Sequence, residues 1–158
     1  MTALAAPNTK LVLATSTLLA VSALTFAGAG AGGRAAANAG CTIVGTAGAD
    51  NLNGTNGHDV ICGLGGNDHI AGGGGNDVIV GGSGDDALSG EGGSDVVKGG
   101  PGADKLQGDG GRDTVFGGTG NDLIWAWDGY ADRIDGGPGL DKAWLDKLDR
   151  ATSIERRP

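Results

Sequence analysis

Between residues 45 and 125 one branched aliphatic side chain returns every nine residues, at Leu52, Ile61, Ile70, Ile79, Leu88, Val97, Leu106, Val115 and Ile124. Each sits in the middle of a short strand-like triplet, such as Val78-Ile79-Val80 or Leu123-Ile124-Trp125. In such a triplet the middle residue points opposite to its two neighbours. The six residues before each triplet read G-x-x-G-x-D, with Gly at the first and fourth positions and Asp at the sixth. That is turn chemistry, because Gly reaches positive φ and Asp bonds to nearby main chain. A three-residue strand has no stability alone. Stacked in register on copies of itself, it becomes a rung of a parallel ladder with one interior row of aliphatic side chains.

One strand plus one turn per unit predicts two facing sheets, with two units to each full coil. The fold expected is all-β: a parallel β-roll, or solenoid, in which each unit lies over the unit two further on, about 4.8 Å away. Asp50, Asp68, Asp86, Asp104 and Asp122 then line one edge, and Asp59, Asp77, Asp95 and Asp113 the other. Rows of carboxylates at that spacing repel one another unless a cation lies between them. Ca²⁺ suits the gap, since it takes six to eight hard oxygen ligands, carbonyls included, in tolerant geometry. One ion per gap gives about seven sites. The pattern then weakens. Residues 126–135 form a unit with one insertion, in which Asp132 takes the place of the sixth-position Asp, and 136–144 keep the turn and Asp141 but offer only Ala143 to the interior. These two are the weaker candidate ligands.

Composition explains why a cation is needed. Gly supplies 35 of the 158 residues, so folding carries a heavy entropic cost. One buried aliphatic per unit contributes about 1.5–3 kcal/mol, too little to order the eight residues around it. All 19 acidic residues lie at or after Asp50, whereas the first 49 residues carry only Lys10 and Arg34. This balance excludes nucleic acid as a partner and favours cations. Residues 1–39 read as a secretory signal: a short polar start with Lys10, the uncharged apolar stretch Leu11–Ala27, and small residues with A-x-A triplets up to Ala39. A secreted, extracellular protein with no membrane contact after cleavage is expected. There the only two cysteines, Cys41 and Cys62, are a disulfide candidate at the first turn of the roll.

These units resemble the RTX nonapeptide, G-G-x-G-x-D-x-U-x with U a large aliphatic. The likeness runs without a gap over residues 45–125. It implies a roll that is largely disordered without calcium and folds when calcium binds, with the sixth-position Asp supplying carboxylate oxygens and the loop supplying carbonyls. The chain is most similar to the small stand-alone secreted form of that family. Its expected organisation is signal at 1–39, calcium-binding roll at 40–144, and cap and tail at 145–158. The second position departs from Gly at Thr46, Thr55, Leu64, Glu91 and Asp109, and the first two loops are the ones expected to be degenerate.

No other chemistry competes. His58 and His69 are isolated, no H-E-x-x-H or G-x-S-x-G string occurs, and the Gly-rich loops lack the Gly-Lys-Ser/Thr ending of a phosphate loop. An enzyme is not expected. Trp125, Trp127, Tyr130 and Trp144 gather where the repeat frays and are read as a hydrophobic cap, with a short capping helix suggested by Leu140, Trp144 and Leu148. The rival reading is an extracellular adhesin or matrix protein that uses the calcium-stabilised roll as a scaffold, with a protein or surface partner at the tryptophans.

Overall fold

The computed structural model describes residues 40–155, so the proposed signal segment and the last three residues lie outside it. Thirteen strands run in chain order: β1 (Ile43–Val44), β2 (Asn51–Asn53), β3 (Val60–Gly65), β4 (His69–Ala71), β5 (Val78–Ser83), β6 (Ala87–Ser89), β7 (Val96–Pro101), β8 (Lys105–Gln107), β9 (Thr114–Thr119), β10 (Leu123–Ala126), β11 (Arg133–Asp135), β12 (Lys142–Leu145) and β13 (Arg150–Thr152). Odd strands form one parallel sheet in the order β1-β3-β5-β7-β9-β11-β13, and even strands the other, from β2 to β12. Ile61 pairs with Ile79 and Ile70 with Leu88, so each coil holds two units, as the period requires. The protein is a parallel β-roll.

The interior is the eighth-position row. Ile61, Ile70, Ile79, Val97, Leu106, Val115 and Ile124 are fully buried, and Ile134 and Ala143 continue the row past the regular repeat. The insertion lengthens one coil by a single residue, so that Val115 pairs with Ile134 and Ile124 with Ala143. The ladder then continues to β13, where Ala151 stacks on Ile134.

Two expectations need correction. Leu140, Trp144 and Leu148 do not make a helix: Trp144 lies in β12, while Leu140 and Leu148 are exposed on turns. A stacking edge offers main-chain partners to the next segment, and β12 takes them from β10 rather than closing on itself. The aromatic residues are also not one cap. Trp125 and Trp144 stack with centroids 5.2 Å apart on the outside of the even sheet, because a residue next to an inward-facing position must face outward. Trp127 is 80% exposed and Tyr130 is exposed too. The open end is covered instead by Leu145, Ala151 and Ile154, packed against the core.

At the other end Cys41 and Cys62 are joined, closing a span of 21 residues. A cross-link of this span stabilises by about 3 kcal/mol through the unfolded chain. Reduction is therefore expected to lower the melting temperature and to fray β1 first. Hydrogen exchange of the Ile43 and Val44 amides, before and after reduction, measures this; unchanged protection would contradict the staple.

Candidate metal sites along the two edges

From Asp68 onward each sixth-position aspartate ties its own coil to the one before. Asp77 Oδ1 accepts the Asp59 main-chain N–H from the coil before, at 2.8 Å. The same bond repeats from Asp68 to Asp50, Asp86 to Asp68, Asp95 to Asp77, Asp104 to Asp86, Asp113 to Asp95 and Asp122 to Asp104, all between 2.7 and 2.9 Å. Asp132 and Asp141 continue it onto Asp113 and Asp122. So one oxygen of each of these nine carboxylates is a structural rung, whereas Asp50 and Asp59, at the start of the two rows, are bonded by threonines instead.

The other oxygen is not. Oδ2 of Asp68, Asp77, Asp86, Asp95, Asp104, Asp113, Asp122, Asp132 and Asp141 is buried without any hydrogen-bond partner. A buried carboxylate oxygen with no donor is costly, and a row of them is not stable as anions. What faces them is another acceptor. A Cβ placed on Gly72 would meet Asp77 Oδ2 at 2.8 Å and the Gly90 carbonyl oxygen at 2.7 Å. The missing side chain thus leaves a cradle flanked by a carboxylate oxygen and a carbonyl oxygen of the following coil. The same pairing sets Asp68 opposite Gly81, Asp86 opposite Gly99, Asp95 opposite Gly108, Asp104 opposite Gly117, Asp122 opposite Gly136, and Asp141 opposite Ser153. Oxygen atoms converging with no proton between them are the donor set of a hard cation. The fourth-position glycines have the complementary task of curling the loop: Gly75 has φ +118°, a region closed to most side chains.

Burial pushes these carboxyls above their ordinary range. Asp104 and Asp113 rise to about 7 and Asp132 to about 6, chiefly through desolvation, with neighbouring carboxylates adding to it and the main-chain N–H opposing it. Asp68, Asp86, Asp95, Asp122 and Asp141 are raised for the same leading reason.

The first two loops differ. Thr55 donates both its main-chain N–H (2.7 Å) and its hydroxyl (2.8 Å) to Asp59 Oδ2. Thr46 does the same for Asp50, at 2.5 and 2.9 Å. The Thr55 bonds hold the Asp59 carboxyl below the ordinary value. The other non-glycine second positions, Leu64, Glu91 and Asp109, instead adopt positive φ and keep the loop form of the glycine units.

Sequence reasoning missed two rungs. Asp149 accepts the Asp132 N–H at 3.1 Å, and Glu155 accepts that of Asp141 at 2.7 Å. The recurrence of Asp132-Arg133 as Asp149-Arg150 was the available signal, hidden because the spacing had contracted to 17 residues.

A parallel solenoid edged by buried, half-bonded carboxylates that face carbonyl oxygens is a cation-binding repeat roll. The family model of the RTX calcium-binding nonapeptide repeat matches it in four copies, over residues 42–70, 63–97, 98–130 and 107–143. The chain belongs to that family, and calcium is accordingly its ionic partner. No curated protein matches it.

Proposed function

We propose that the protein is a secreted calcium-binding module whose roll folds as Ca²⁺ enters the cradles between stacked loops. The observation that carries this reading is the row of buried Oδ2 atoms without donors, each needing a positive partner. The ligands are Asp68, Asp77, Asp86, Asp95, Asp104, Asp122 and Asp141 with their facing carbonyls, so about seven ions bind in these cradles. Asp50 and Asp59 are excluded, since Thr46 and Thr55 already supply donors to the oxygen the ion would take. Export is supported by the apolar, small-residue character of residues 1–39 and by the Cys41–Cys62 bond, which suits an oxidising compartment. The role is that of a calcium-set scaffold without catalysis, in keeping with two exposed and separate histidines, His58 in a loop and His69 at the start of β4.

Calcium counted by equilibrium dialysis tests the assignment. The wild type is expected to bind about seven ions in these cradles. Replacing Thr55→Gly removes the hydroxyl donor and lets position 55 take the positive φ of Gly73, in whose loop Asp77 Oδ2 has no donor. This is expected to add one ion at Asp59. A wild type that retains no calcium after dialysis would overturn the function. An unchanged count in T55G would overturn the exclusion of the threonine loops.

A further inference from the structure

The loop between β10 and β11 breaks the repeat where the edge of Asp59, Asp77, Asp95 and Asp113 reaches its next rung. Residues 127–132 read Trp-Asp-Gly-Tyr-Ala-Asp, with no glycine at the first, second or fourth position. The cradle built elsewhere by a glycine and a facing carbonyl has lost its sequence basis here. The nearest atoms to a Cβ on Gly108 are all those of Asp113 itself. In its place the loop brings a third carboxylate. One oxygen each of Asp113, Asp128 and Asp132 lies within 4.8 Å of the others.

The three are held from different directions. Asp113 Oδ1 takes the Asp95 N–H at 2.8 Å, and Asp132 Oδ1 takes the Asp113 N–H at 2.9 Å. Asp128 Oδ1 takes the Tyr130 N–H at 2.8 Å, while the Gly129 N–H is tied to Asp146 Oδ2 at 2.8 Å. Each carboxylate is thus oriented by one oxygen and presents the other. Those other oxygens, Oδ2 of all three, are buried and have no partner. Asp113 and Asp132 are only 2% and 3% exposed, so solvent reaches the convergence from the Asp128 side alone.

We propose that Asp113, Asp128 and Asp132 form a separate high-affinity calcium site that fills before the repeat cradles. Two ladder carboxylates border an ordinary gap, whereas three converge here, and calcium affinity rises with the number of ligand charges. Asp146 and Asp149 lie close enough to act on Asp132 and deepen the negative field. Filling this site fixes the irregular loop onto the regular edge, so the insertion becomes an anchor rather than a defect. The proposal rests on the calcium reading only for the identity of the ion.

Terbium emission tests it, because Tb³⁺ replaces Ca²⁺ and is sensitised by a nearby indole, and Trp127 precedes Asp128 in the chain. The first equivalent of Tb³⁺ added to the full chain is expected to give aromatic-excited emission that calcium displaces. D128N should weaken this first event about tenfold or more while leaving the calcium-saturated β spectrum intact. D77N, on a regular rung of the same edge, should leave it unchanged, and W127F should dim the emission without moving the calcium displacement midpoint. An unaltered first event in D128N, or equal weakening in D77N and D128N, would overturn the site. Should calcium leave the repeat rungs unfilled while the first event still depends on Asp128, the cluster stands and the reading of the repeats falls.

Discussion

Stripped of calcium at about pH 8, the roll is expected to lose most of its β-sheet ellipticity, and to regain part of it when the same chelated chain is brought to about pH 5. The direction follows from the raised carboxyls. Asp104 and Asp113 titrate at about 7 and Asp132 at about 6 in the folded chain, against 3.8 as the ordinary value. Between those limits the folded state holds protons that the unfolded state has released. Stability of the cation-free roll is therefore highest near the lower limit and falls as pH rises through 7. Asp59 alone runs the other way: its lowered value gives stability present above the ordinary carboxyl range and lost as pH falls. One such group does not offset the row. Self-repulsion of a chain with net charge −8 acts in the same sense as the row.

Saturating calcium removes this dependence above the ordinary carboxyl range, because the ion displaces the proton from the same Oδ2 atoms. The loaded roll is then deprotonated like the unfolded chain. Binding to the cation-free roll should release protons, and the calcium concentration at the folding midpoint should rise between about pH 5.5 and 7.5 as proton support is lost, then level off. Circular dichroism over a grid of pH and calcium measures both trends. A chelated chain that grows more stable from acid to neutral pH would contradict the buried-carboxylate account.

Most of the architecture was legible from the repeat because the period determines two things together. A nine-residue return of Ile, Leu or Val selects the strand, and two such returns set Ile61 over Ile79 and Asp59 over Asp77. What the period could not carry was the division of work within one carboxylate. That Oδ1 is a rung and Oδ2 faces a cradle depends on where the next coil's N–H and the following coil's carbonyl fall, which is three-dimensional. The threonine loops were visible as departures from Gly, yet their meaning lay in Thr46 and Thr55 donating twice to one oxygen. Beyond Ile124 the coil first lengthens, setting Ala143 over Ile124, and then shortens, setting Ala151 over Ile134. A reading tied to a fixed period therefore took Leu140, Trp144 and Leu148 as helical neighbours, where the chain adds further rungs.

Substitutions at Asp104 separate rung from ligand and should give effects of opposite sign. Asp104 is fully buried, its Oδ1 accepts the Asp86 N–H at 2.9 Å, and its Oδ2 faces the Gly117 carbonyl without a donor. D104A removes both oxygens and strands the Asp86 N–H, which costs about 1–3 kcal/mol with or without calcium. D104N keeps an acceptor for that N–H and turns its amide toward Gly117, where a donor finds an acceptor at last. In chelator D104N should therefore be more stable than the wild type at neutral pH, since a buried unpaired charge has gone. In calcium it should be less stable by about 3 kcal/mol or more, because a central ligand bordering two coils is lost. D50N should change little in either condition, its Oδ2 being already bonded to Thr46 at the end of the row. Circular dichroism of the three variants in chelator from about pH 5 to 7, with urea unfolding in calcium, decides the matter. If D104N destabilises equally with and without calcium, Oδ2 is not a ligand and the orphaned row needs another partner.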